Sequence, residues 1–171
     1  MENMIVVQRD IVKLFGISSK DNTLSTVSEY RMFFDGCSKG NPGPGGAGAV
    51  IYKGDQEISS TSIYVGDQVT NNHAEYMGLI NGLEMAVGLG IESLRIHGDS
   101  QLVIKQMREE YKVNNPTLIM DHGVAKDLAK KIKTIDYRYV PRKENSRADE
   151  LANLGLLQKA STPAEPFVQA S

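Results

Sequence analysis

The chain has 171 residues, 40% of them hydrophobic, which suits one domain with a real core and leaves too little for two. A formal net charge of −2 excludes a binder that works through bulk positive charge, but not a nucleic acid partner, because Lys39, Arg142, Lys143, Arg147 and lysines 126, 130, 131 and 133 could make one face basic. The single cysteine, Cys37, forbids an internal disulfide and no Cys/His spacing suggests structural zinc, so a metal here would be held by oxygen.

Residues 1–29 stand apart from the rest. Val7, Ile11, Leu14 and Phe15 recur at helical spacing, Gly16 can end that helix, and the polar "SSKDNTLSTVSE" reads as a linker. The segment is an N-terminal extension on this reading, although a short helix packed on the domain would leave the same trace. It lacks the basic, apolar, small-residue order of a secretory signal, and no apolar run reaches membrane-spanning length. An intracellular protein, cytoplasmic or nuclear and without membrane contact, is expected.

From residue 30 the pattern is βββαβααβα. Strands are predicted at "YRMFFDG", "GAGAVIYKG" and "QEISSTSIYVG", the last two joined by a tight turn at Gly54 and Asp55, which makes an antiparallel meander. "NNHAEYMGLINGLEMAVGLG" carries Tyr76, Leu79, Ile80, Leu83, Ala86 and Val87 at helical spacing, and "SLRIHGD" follows as a short strand. Helices are then predicted at "SQLVIKQMREEY" and "TLIMDHGVAKDLAKKI", a strand at "TIDYRYV", and a last helix at "RADELANLGLL", where Gly155 would allow close packing. Strand and helix alternation means parallel additions, hence an α/β domain over 30–157 with a mixed five-stranded sheet covered by helices. The residues from 158 to 171 have linker composition and are expected to be a disordered tail.

Four acids fall where the sheet changes to loop or helix. Asp35 follows Phe33 and Phe34 at a strand end, where a carboxylate beside the core is costly to desolvate; an Asx-type turn would also explain it. Glu75 suits the positive end of its helix dipole, Asp99 suits a helix N-cap, and Asp149, three residues after Ser146, suits a capping box. Each local explanation is adequate alone, yet the topology could bring all four to one sheet edge. Gathered there they would repel one another without cations, and an all-oxygen site is what Mg²⁺ or Mn²⁺ prefers.

In order along the chain, "DGCSKGNPGPGGAG", "TNNHAEYMGLINGL", "HGDSQLVIKQ" and "PRKENSRADELAN" resemble the four motifs of the type 1 ribonuclease H family, over about residues 30–157. The resemblance implies that family's fold, with sheet order 3-2-1-4-5 and strand 2 antiparallel. It also implies an endonuclease that cuts the RNA strand of RNA·DNA hybrids by two-metal catalysis, leaving 5′-phosphate and 3′-hydroxyl ends. Asp35, Glu75, Asp99 and Asp149 match the family's metal-binding catalytic acids. One Mg²⁺ would lie between Asp35 and Asp149 and activate water; a second, held by Asp35, Glu75 and Asp99, would stabilise the leaving 3′-oxygen. Asn41, Asn71 and Asn72 match positions that touch the hybrid from its minor groove, Thr70 resembles part of a DNA-phosphate pocket, and Gly36 and Cys37 fall in the same substrate-binding loop. The glycines after Asp35 would let backbone approach that groove.

The likeness has two departures. The long loop that carries a histidine in many bacterial relatives is shortened to "VPRKENSRAD", with Arg142 nearest the vacant place, as in the archaeal and plant-like branch. The basic protrusion used to grip the duplex is also missing, since only "KVNNPTLIM" separates "MREEY" from "DHGVAKDL". A monomer with modest, salt-sensitive affinity for hybrid is expected. His73 could touch substrate, while His97 reads as an ordinary strand residue. A non-catalytic binding module with the same fold, or a different nuclease of that fold, remain alternatives at the level of sequence.

Overall fold

The computed structural model describes residues 28–161, so the helix expected near Val7–Phe15 lies outside the described residues, as does most of the expected tail. Strand β1 (Tyr30–Ser38) alternates as a half-buried strand should, with Met32 and Phe34 fully buried on one face. It pairs antiparallel with β2 (Gly43–Lys53), which turns at Gly54, in a left-handed conformation, into β3 (Gln56–Val69). Helix α1 (Asn71–Gly88) leads to β4 (Ser93–Gly98), then come α2 (Gln101–Met107), α3 (Pro116–Ala129) and β5 (Thr134–Tyr139). A single 3₁₀ turn (Arg142–Glu144) precedes α4 (Ser146–Ser161). The sheet order is β3-β2-β1-β4-β5, with β4 and β5 parallel to β1, the mixed sheet expected from the sequence.

One face of the sheet supplies Met32, Phe34, Ala49, Ile51 and Ile96 to a core completed by Tyr76, Leu79 and Leu83 of α1 and Val103 and Ile104 of α2. Each such large apolar side chain contributes about 1.5–3 kcal/mol by leaving water. The Tyr76 hydroxyl, taken deep into it, donates to the buried Gln106 Oε1 at 2.7 Å. On the other face α4 lies directly against β2 and β3: a side chain at Gly155 would overlap the Ile63 carbonyl, the close packing foreseen at that glycine.

Several boundaries differ from the sequence reading. β3 continues past Gly66 to Val69, α2 stops at Met107 because Glu109 turns left-handed (φ 63°), and α4 runs to Ser161, past the end at Leu157 read for the last helix. Among the described residues, no helix is long and apolar enough to cross a membrane.

Candidate active site

The parallel ladder between β1 and β4 ends at the pair Phe34 and Gly98. Asp35 and Asp99 are therefore the next residues on adjacent strands, at the carboxyl edge where α/β sheets collect ligands. Glu75 comes to the same place because α1 touches β1 backbone to backbone. A Cβ on Gly36 would overlap the Ala74 carbonyl, and one on Gly78 would overlap the carbonyl oxygen of Asp35. The glycine after Asp35 thus admits the protein's own helix.

The local explanations for three acids do not survive the geometry. Asp35 lies inside β1, paired with Gly48, and is no turn residue; one carboxylate oxygen accepts the Gly36 N–H at 2.9 Å. Asp99 is not the N-cap of α2: Ser100 is, accepting from the Val103 N–H. Glu75 is not in the first turn of α1, which is capped by Thr70 and has no acid there. Asp149 does occupy the first turn of α4, where the helix dipole favours it.

Carboxylate oxygens of Asp35, Glu75 and Asp99 all lie within 4.8 Å of one another. Burial, then the Asp99 charge, pushes the Asp35 carboxyl up to about 7. Burial raises Glu75 well above the usual carboxylate range, with Asp35 and Asp99 adding to it. Burial also raises Asp99, against a hydrogen bond from Asn145 and the charge of Arg142. Glu75 Oε2 is buried with no hydrogen-bond partner. Three converging hard oxygen donors, one of them orphaned, fit a divalent cation such as Mg²⁺ or Mn²⁺. Asp149 lines the same cleft, of about 500 Å³, but its carboxylate faces Arg142 at 3.2 Å and stands outside the group of three.

Of the expected substrate residues, Gly36, Cys37, Asn71 and Arg142 line this cleft. Burial raises the Cys37 thiol pKa, so it is a poor nucleophile here. Asn41 Oδ1 accepts the Asn71 N–H at 3.0 Å and Asn71 Oδ1 accepts the Ser38 N–H at 2.9 Å, bonds that use only the carbonyl oxygens of the two amides. Thr70 is the N-cap of α1, and Asn72 is exposed in its first turn. His73 pairs with the buried Asp121 at 2.6 Å, and His97 stacks on Phe33. The cleft also contains Lys39, one of the basic residues noted in the sequence, and Tyr139 and Asn153, which sequence reasoning did not single out. Tyr139 had one available signal, its place at the end of a parallel strand. Asn145, buried beside Asp99, had none.

Residues 33–155 match the family described as reverse transcriptase-like. A Mycobacterium tuberculosis protein named as bifunctional is 42% identical over 136 residues, which are 77% of this chain and 37% of that protein. Its N-terminal ribonuclease H domain, solved as a fusion with maltose-binding protein, superimposes with a TM-score of 0.74 at 40% identity, covering 80% of this chain and 99% of that one. The Halobacterium salinarum ribonuclease HI is 40% identical over 124 residues, 72% of this chain and 62% of that protein. This chain therefore spans less than two thirds of the length of these relatives. LC11-RNase H1, isolated from compost and solved in complex with an RNA/DNA hybrid, superimposes with a TM-score of 0.71 at 32% identity over 78% of this chain and 99% of its own. With the sheet order, the carboxylate edge and these matches together, the chain belongs to the type 1 ribonuclease H family.

Proposed function

We propose that this protein is an endoribonuclease that hydrolyses the RNA strand of RNA·DNA hybrids, leaving 5′-phosphate and 3′-hydroxyl ends, with two Mg²⁺ ions, or Mn²⁺, as cofactors. The observation that carries the reading is the convergence of Asp35, Glu75 and Asp99 within 4.8 Å at the carboxyl edge of the parallel strands, beside Asp149. A relative of the same fold bound to hybrid supports the choice of substrate. When bound, the metal pair would supply charge neutralisation at both the attacking and the leaving oxygen of an in-line displacement.

Asp35, central among the acids, would ligate both ions and is the least replaceable. Glu75 and Asp99 would complete one ligand set and Asp149 the other. Arg142, on the rim, compensates the Asp149 charge and presents its remaining N–H donors where a phosphate could pass. The amides of Asn41, Asn71 and Asn72 can both donate and accept, which suits a 2′-hydroxyl that does the same. Thr70 sits at the start of α1, a position that favours a DNA phosphate. The protein acts, on this reading, as an intracellular monomer.

The test is a strand-labelled hybrid, with RNA·RNA and DNA·DNA controls, incubated with wild type and Asp99→Asn in Mg²⁺ and then Mn²⁺. Cleavage confined to the RNA strand of the hybrid and lost in the variant is expected. Hybrid binding without any metal-dependent product would sink the proposal and leave a binding module.

A further inference from the structure

We propose that Asn145 is a positioning residue for the carboxylate site, holding Asp99 and Asp149 in register with Asp35; the inference rests on the metal-dependent reading above. Asn145 is 1% exposed, although it lies in the short connection between the 3₁₀ turn and α4. Its side-chain Nδ2 donates to the carbonyl oxygen of Phe34 at 2.9 Å, the residue that precedes Asp35. The same side chain also lies beside the Asp99 carboxylate, as a neighbouring hydrogen-bonding group. Its main-chain oxygen accepts the Asp149 N–H at 3.0 Å, and its own N–H donates to the Arg142 carbonyl at 3.0 Å. One residue thereby ties together the backbone beside Asp35, the Asp99 carboxylate, the first turn that carries Asp149, and the rim that carries Arg142.

The residue type matches this task and poorly matches a merely structural one. Burying an amide costs free energy unless its groups are bonded, yet Asn145 Oδ1 has no partner. A turn that only needed closing could be closed by main-chain bonds and a surface side chain. An aspartate here would add a negative charge to the group and could not, when ionised, donate to Phe34. A leucine would lose both side-chain bonds. The neutral, forked donor of asparagine meets a carbonyl and a carboxylate at once.

Thermal melts of wild type, Asn145→Ala and Asn145→Ser in EDTA and across a Mg²⁺ titration, with kcat and KM on labelled hybrid, test the proposal. Residues that orient metal ligands typically change metal affinity or activity by 10–100-fold when replaced. Both variants are therefore expected to need about tenfold more Mg²⁺ for half-maximal thermal stabilisation, and to lose about tenfold or more in kcat with KM changed less than about twofold. Variants that melt lower in EDTA but keep the wild-type Mg²⁺ midpoint and kcat where folded would overturn it, as would failure of both to fold, since Asn145 would then serve the fold alone. Should alanine alone fail to fold, serine decides. The Mg²⁺ midpoint is read without substrate, so a wild type that binds Mg²⁺ yet cuts no hybrid would defeat the proposed function while leaving Asn145 to be judged. A wild type with no Mg²⁺ response would remove the positioning role.

Discussion

Burial and the Asp99 charge raise the Asp35 carboxyl from 3.8 to about 7. A carboxyl with a folded-state pKa above its unfolded value stabilises the fold fully below about pH 3.8, and that contribution is lost as pH rises through about 7. At pH 8 the metal-free protein therefore carries an unfavourable buried charge. Asp35→Asn should abolish cleavage yet raise the melting temperature in EDTA at pH 8 by roughly 5 °C or more. The gain should shrink towards pH 4 and in saturating Mg²⁺. Calorimetry from pH 4 to 8 with and without metal checks this, and a variant no more stable than wild type at pH 8 would contradict it. Arg142 is the converse case. Its side chain is 81% exposed, so its ion pair with Asp149 contributes little, and Arg142→Ala should move the melting temperature by less than about 3 °C.

Contact between elements, more than any single side chain, sets the site's dimensions. α1 approaches β1 closely because Gly36 and Gly78 present no Cβ, and the atoms either would strike belong to backbone and cannot rotate away. Gly78→Ala is expected to cost about 3 kcal/mol or more, since it must separate helix from strand and carry Glu75 away from Asp35. Urea unfolding measures the loss, and an unchanged midpoint would refute the packing argument. Ser100→Ala should cost about 1 kcal/mol as a lost N-cap, because the cap belongs to Ser100 and not to Asp99. The sequence showed that each acid stood near an element boundary. It could not separate capping from ligation, because the two readings differ by shifts of one to four residues, and those shifts depend on which neighbouring backbone satisfies the first N–H groups of each helix.

Across the whole molecule, the sheet places carboxylates from β1, α1, the end of β4 and α4 at one edge, so residues separated by more than a hundred positions share a cleft. α2 and α3 are joined only by residues 108–115, without the basic protrusion of many relatives, and the chain's net charge is −2. Hybrid binding should therefore rest on few phosphate contacts near the cleft, and its Kd should rise roughly tenfold or more between 50 and 200 mM salt. Fluorescence anisotropy with a non-cleavable hybrid measures this, and a salt-independent Kd would argue against phosphate-led binding. We take residues 30–157 as the catalytic unit. The described stretch 28–161 buries its own core, so produced alone it should keep cleavage within about threefold of the whole chain.

Periodicity by itself determined the order and type of the elements, because apolar spacing of two or 3.6 residues must face a core whatever the partner. The order of the four motifs determined the family. Tertiary structure alone decided that Asp35, Glu75 and Asp99 form one group while Asp149 turns to Arg142, and that Asn145 ties their supports together. Those relations depend on the end of the β1 and β4 ladder and on two glycines that let a helix touch a strand, distances across the sheet that no local pattern encodes.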